Sequence, residues 1–159
     1  MDDMAPITVN TLRAGLAGGL LGGVTIWLYE AAVWAGWQQL LPLKGIPANA
    51  VGLVFGPHAQ QSLGAWAYVA GTAIHFSFAM AWGVLFAFVW PWFRHRGVEA
   101  TLLALGYALV AWLVMHGAIA LVSDHHPDYT DPVVVIGGVM SHLFYAVPLA
   151  LYVRRRLAG

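Results

Sequence analysis

Four ionisable side chains stand alone within long apolar stretches of this chain: Glu30, His75, His116 and His142. An ionisable group at membrane depth is costly unless it faces the protein interior and finds a partner, so such residues are candidates for a functional site. The sequence therefore predicts one polar site, to which each apolar stretch contributes one residue.

Three imidazoles and one carboxylate form a donor set that suits a transition metal. Neutral imidazole binds zinc, copper or iron, and a carboxylate would complete the first coordination shell of a divalent ion. We therefore predict metal coordination by Glu30, His75, His116 and His142. These ions would take the site in preference to calcium or magnesium.

Three other hypotheses about the function of the same residues remain open. A pair formed by Glu30 and an imidazole would handle protons or ions near physiological pH. Haem b would be held between His75 and His142, on helices that run in the same direction, in an electron-transfer or quinone-reacting subunit. A structural or assembly subunit would use the four polar residues only to pair its helices.

The composition predicts an integral membrane protein. Hydrophobic residues make up 60% of the 159 residues, charged residues only 9%, and the mean hydropathy is +0.73. This length holds four spans and their connections, so residues 1–159 form a single membrane domain. The formal net charge is zero, so the sequence does not predict a basic surface for binding nucleic acid. The expected partners are the lipid bilayer and, beyond it, other membrane subunits or further copies of the chain.

Two classes of chemistry are not expected. The chain has no cysteine, which removes disulfides and thiol catalysis. It also contains no nucleophile elbow, phosphate loop, dinucleotide fingerprint or zincin helix, so an enzyme acting on a soluble substrate is not expected.

The apolar stretches predict an all-α, four-helix transmembrane bundle. A span needs about 20 helical residues, and four segments meet that length. They are residues 13–37, 65–91, 98–122 and 133–153. Pro91 is expected to end the second span, Gly97 to lie in the turn after it, and Asp131-Pro132 to begin the fourth. An apolar piece in the first outer loop, residues 48–55, is expected to lie in the membrane interface as a short helix.

The positive residues predict the orientation of the bundle. Six of the seven lysines and arginines, at positions 13, 94, 96 and 154–156, fall on one side. The positive-inside rule makes that side cytoplasmic, with both termini inside, in a multi-pass protein of the bacterial inner membrane. Counted from the outer ends of the spans, Glu30, His75, His116 and His142 lie about 10, 15, 9 and 14 Å deep, within one layer.

Two sequence patterns bear on how the helices pair. Gly71-x-x-x-His75 in span two is echoed by Gly138-x-x-x-His142 in span four, which suggests two duplicated helical hairpins. In span one, small residues repeat at four-residue spacing, so neighbouring helices can approach closely. They are Ala14, Gly15, Gly18, Gly19, Gly22 and Gly23.

Four segments resemble the YagU-like family of small bacterial inner-membrane proteins. They are Ile74-His75-Phe76-Ser77-Phe78, the stretch from Leu113 to Ala118, Ser141-His142-Leu143-Phe144 and Arg154-Arg155-Arg156-Leu157. Glu30 is similar to an acidic residue at the end of that family's first span. The resemblance implies a four-span inner-membrane protein with a loose link to acid tolerance and no established catalytic mechanism.

A separate polar group lies in the second outer loop. Asp124, His125, His126, Asp128 and Asp131 combine adjacent imidazoles with carboxylates, a set that suits weak capture of zinc or copper. A solvated turn between two spans accounts for the same residues. Both interpretations remain open at the level of the sequence.

Overall fold

The computed structural model describes residues 8–39, 42–122 and 127–158. Four long helices dominate it, joined on one side by two short ones. In chain order the elements are α1 (Val9–Glu30), a π-helix (Ala31–Trp37), α2 (Gly45–Phe55), α3 (Pro57–Leu63), α4 (Trp66–Arg94), α5 (Ala100–Val122) and α6 (Pro132–Arg156).

The predicted four-helix transmembrane bundle is confirmed. The continuous helix Val9–Trp37 and helices α4, α5 and α6 are each long and apolar enough to cross a membrane. Large apolar side chains such as Leu102, Leu121 and Ile136 lie exposed on the outside of the bundle. A bilayer would cover this surface, and the chain is a multi-pass integral membrane protein.

The helix ends follow local signals, with one exception. Asp131 caps α6, since its Oδ1 accepts a 2.8 Å hydrogen bond from the Val133 N–H, and Pro132 occupies the first helical position. Gly97 adopts a φ of 74° in the turn after α4. The prediction that Pro91 ends the second span is wrong, because α4 continues to Arg94. Pro91 removes one backbone hydrogen bond of α4, but its fixed φ is compatible with a helix and the three residues after it stay helical.

Helix α1 lies between α4 and α6 because glycines line two of its faces. A Cβ at Gly15 would lie 2.5 Å from the Val84 Cα, and a Cβ at Gly18 would lie 2.9 Å from the Leu149 Cδ1. The close helix approach predicted from the small residues is therefore confirmed. The two long-helix pairs that follow each other in the chain, α1 with α4 and α5 with α6, are packed together.

The two ends of the bundle differ in character. We call the end that carries the arginines at 13, 94, 96 and 154–156 the arginine end. Its core is filled by apolar side chains, and Phe86, Leu149 and Val153 are fully buried there. We call the opposite end, which carries α2, α3 and residues 127–131, the loop end.

Helix α2 packs onto the loop end of α4. Ala48 and Val51 of α2 are buried together with Ala67 of α4. The expected short helix is therefore present, and it contacts the bundle. At Gly71 the Pro47 carbonyl of the α2 segment occupies the space that a side chain would need, so the absence of a Cβ at this position permits the contact.

A buried tyrosine ties α6 to α4 between the two ends. The Tyr145 hydroxyl donates a 2.7 Å hydrogen bond to the Ala79 carbonyl oxygen. We expect Tyr145→Phe to lower the free energy of unfolding by about 1 kcal/mol, because the ring packing is kept and one buried hydrogen bond is lost. Reversible unfolding in mixed detergent measures this change. Tyr68→Phe, which makes the same chemical change where α4 packs against α2, is the control. An unchanged unfolding free energy would show that the bond contributes nothing.

Candidate functional site

His142 lies in α6 with its ring held by the helix backbone. Its Nδ1 is 2.8 Å from the Gly138 carbonyl oxygen and 3.3 Å from the Ser141 hydroxyl. A carbonyl oxygen only accepts, so Nδ1 carries the proton and donates it to Gly138. The Nε2 lone pair of His142 then stays available to bind a ligand.

His116 faces His142 from α5. The two ring centroids are 5.7 Å apart. On its other side the His116 Nδ1 lies 3.0 Å from the Tyr129 hydroxyl, which comes from the connection between α5 and α6. Burial raises the pKa of Tyr129, so this hydroxyl keeps its proton at physiological pH.

His75 is placed by the contact between α4 and α1. Its Nε2 donates a 2.9 Å hydrogen bond to the Gly23 carbonyl oxygen, where α1 has no side chain to hold the ring away. His75 of α4, His116 of α5 and His142 of α6 thus come from three helices of the bundle, and the rings of His116 and His142 are the pair in contact among them.

Glu30 is half-buried at the end of α1, where the backbone changes from an α-helix to a π-helix. Within the described ranges, no hydrogen bond or ion pair joins its carboxyl group to any of the three histidines. π-helical turns often accompany functional sites. The four-residue ligand set stays a prediction, since the structure places the rings of His116 and His142 together and shows no bond from Glu30 to either in the described residues.

Trp112 adds a polar group that the sequence did not identify as part of the site. Its ring lies 5.3 Å from the His116 ring, and its buried indole Nε1 has no hydrogen-bond partner among the residues that the structure describes. A Cβ at Gly138 would lie 2.5 Å from this nitrogen. Gly138 thus lets α5 and α6 approach each other beside the histidines, and the free N–H is a donor for a bound group.

Tyr129 is the other site residue that sequence reasoning missed. Its position near a span end is typical of the aromatic belt at a membrane surface. In the structure it contacts His116, with ring centroids 5.6 Å apart. No sequence signal distinguishes this tyrosine from a belt residue, because the contact depends on how the connection between α5 and α6 folds back.

The described residues contain no group of three or more His, Asp or Glu side chains arranged to hold a metal ion. Asp124, His125 and His126 of the second outer loop lie outside the described residues. Asp128 of that loop accepts hydrogen bonds from the backbone N–H and the hydroxyl of Thr130, at 2.9 and 2.7 Å. It shapes a turn there.

Tightly packed side chains separate the histidines from the arginine end. On the arginine side of His75 and His142, the Tyr145 hydroxyl is bound to Ala79, and Phe86 and Leu149 are fully buried. Tyr129, which contacts His116, belongs to the loop end. A ligand would therefore reach the histidines from the loop end.

No protein-family model, curated protein or solved structure matches this chain.

Proposed function

We propose that the protein is a metal-binding membrane protein, which holds one divalent transition-metal ion between His116 and His142 and receives it from the loop end. The proposal rests on the pairing of these two imidazoles. In each ring the Nδ1 atom already has a partner within the protein, the Gly138 carbonyl for His142 and the Tyr129 hydroxyl for His116. The resemblance to the YagU-like family implies that the membrane is a bacterial inner membrane.

The hydrogen bonds of the histidines support metal binding. Metal-binding histidines almost always donate their second ring N–H to a carbonyl or carboxylate oxygen, which fixes the ring and makes the free nitrogen a better ligand. His142 has this arrangement through Gly138, and His75 has it through Gly23. The Tyr129 hydroxyl plays the same part for His116.

The separation of the rings also supports metal binding. Zinc binds imidazole nitrogen at about 2.0–2.1 Å, so two imidazoles on one ion have ring centres about 5–6.5 Å apart. The centroids of His116 and His142 are 5.7 Å apart. His75 of α4 would supply a third imidazole ligand.

Haem b fits these residues less well than a metal ion. A macrocycle would have to enter beside His142, where the Trp112 indole lies against Gly138 and His116 is in ring contact. Helices α5 and α6 would need to separate to make room. We therefore propose no haem-dependent step.

Proton handling is the second candidate, and it is favoured by the Glu30 carboxyl, which makes no hydrogen bond or ion pair in the described parts of the chain. Against this candidate, a proton that crossed the membrane would have to pass Phe86 and Leu149, which are fully buried in the core. In liposomes containing the protein, a proton flux that depends on Glu30 and persists after metal removal would favour this candidate over metal binding.

The metal proposal is tested by titrating purified, metal-free protein with zinc, copper and iron. We expect one ion per chain in the wild type and at least about 100-fold weaker binding in His142→Ala, because a ligand is lost outright. His95→Ala is the matched control, since His95 is exposed near the arginine end. Tyr129→Phe should bind about tenfold more weakly, because the ring of His116 loses its partner. Equal binding by His142→Ala and His95→Ala would overturn the proposal.

A further inference from the structure

A cavity lies at the arginine end, between the first turns of α1 and the last turns of α6. Its volume is about 410 Å³, and its lining residues are Asn10, Arg13, Ala14, Ala17, Tyr152 and Arg156. It is far along the helices from the histidines. Neither its chemistry nor its test depends on the metal proposal.

Positively charged side chains line the cavity. Among the residues that the structure describes, two arginines and no acidic side chain belong to its lining. Within residues 8–39, 42–122 and 127–158, the Arg13 guanidinium makes no hydrogen bond or ion pair. Arg154 nearby differs, because it is paired with Glu99 at 3.2 Å.

Tyr152 positions the second arginine. The Arg156 Nε donates a 3.2 Å hydrogen bond to the Tyr152 hydroxyl, and the guanidinium carbon lies 5.4 Å from the centroid of the tyrosine ring. These contacts occupy one nitrogen and leave the terminal N–H groups of Arg156 available. Guanidinium groups with free N–H donors bind phosphate oxygens in a fork.

The wall of the cavity becomes apolar toward the middle of the membrane. Ala14 and Ala17 line it below Arg13. Leu20 follows two helical turns after Arg13 on the same face of α1, and it is exposed on the outside of the bundle. A molecule bound here meets cations at the membrane surface and an apolar helix face below them.

We propose that this cavity binds the head group of an anionic phospholipid, with its phosphate on Arg13 and Arg156 and an acyl chain along Ala17 and Leu20. Free phosphate offers the same charge without the apolar part. The lipid is favoured because the cations and the apolar wall form one continuous surface. Basic pockets between membrane helices on the cytoplasmic side are typical sites for such head groups.

The test is a lipid titration of the purified, delipidated full chain, followed by native mass spectrometry. Phosphatidylglycerol is compared with phosphatidylcholine and with inorganic phosphate. We expect phosphatidylglycerol to bind at least about tenfold more tightly than either. Arg13→Gln and Arg156→Gln should each weaken it about fivefold, as expected for one cation near a membrane surface.

Arg155→Gln is the matched control, because it removes the same charge from an exposed residue that does not line the cavity. Ala17→Phe fills the cavity without changing the charge, and it should also weaken binding. It keeps the proposal testable if an arginine variant fails to fold. Equal weakening by Arg155→Gln would overturn the proposal, since it would mean that only overall charge matters. Equal binding of phosphatidylcholine, or of inorganic phosphate, would overturn the lipid assignment.

Discussion

Gly19→Ala is expected to lower the free energy of unfolding of the bundle by about 3 kcal/mol, near the upper end of the cost of overpacking. A Cβ at this position would lie against the Ala79 carbonyl oxygen and 2.8 Å from the Met80 Cα. Both atoms belong to the backbone of α4 and cannot rotate away. The two helices would have to separate, which would also loosen the contact between Gly23 and His75.

Gly106→Ala makes the same chemical change and is the control, because it is not expected to lower the free energy of unfolding. Gly106 lies on the exposed face of α5, and a Cβ there would have nothing within 4 Å. Alanine is a better helix former than glycine by up to about 1 kcal/mol, so this variant should be as stable as the wild type or more stable. Both unfolding free energies are measured in mixed detergent. Equal stability of the two variants would contradict the close packing of α1 on α4.

Gly71→Ala is expected to release α2 from the bundle while the four spans stay folded. The Pro47 carbonyl fills the space beside Gly71, and its carbon would lie 2.6 Å from a new Cβ. Helix α2 is short and is not one of the four spans, so it can move where a span cannot. The small cluster of Ala48, Val51 and Ala67 would then lose its burial.

The release of α2 is measured with a single reactive cysteine. The chain has no cysteine of its own, so Val51→Cys introduces the only thiol. Val51 is 1% exposed, and its cysteine should react slowly with a water-soluble maleimide. Adding Gly71→Ala should raise the labelling rate at least about tenfold, because a local opening of about 1.4 kcal/mol corresponds to that factor. Adding Gly117→Ala, which has open space, should leave the rate unchanged.

Most of the fold could be predicted from the sequence because membrane spans have a strong composition signal. Four long apolar stretches, each with one Glu or His away from its ends, predicted four helices, and Asp131-Pro132 marked where α6 begins. The π-helix after Glu30 could not be predicted in this way. Its hydrogen-bond pattern changes the register of the backbone without changing the apolar character of the residues.

The site could be predicted only in part. Counting residues from the helix ends gives depth, and His116 and His142 do face each other at one level. The rotation of each helix about its axis depends on packing, which residue counts do not reveal. Glu30 lies at a similar predicted depth but makes no bond to the histidines in the described part of the chain. Tyr129 joins the site through the fold of a loop, which has no helical periodicity to read.

The position of α1 has a consequence for how the protein is made. Its glycine faces contact α4 and α6, and α6 is synthesised after the other three long helices. During synthesis, α1 must therefore remain in lipid with one of those faces uncovered until α6 has entered the membrane. A chain that stops before α6 lacks both this second partner of α1 and His142.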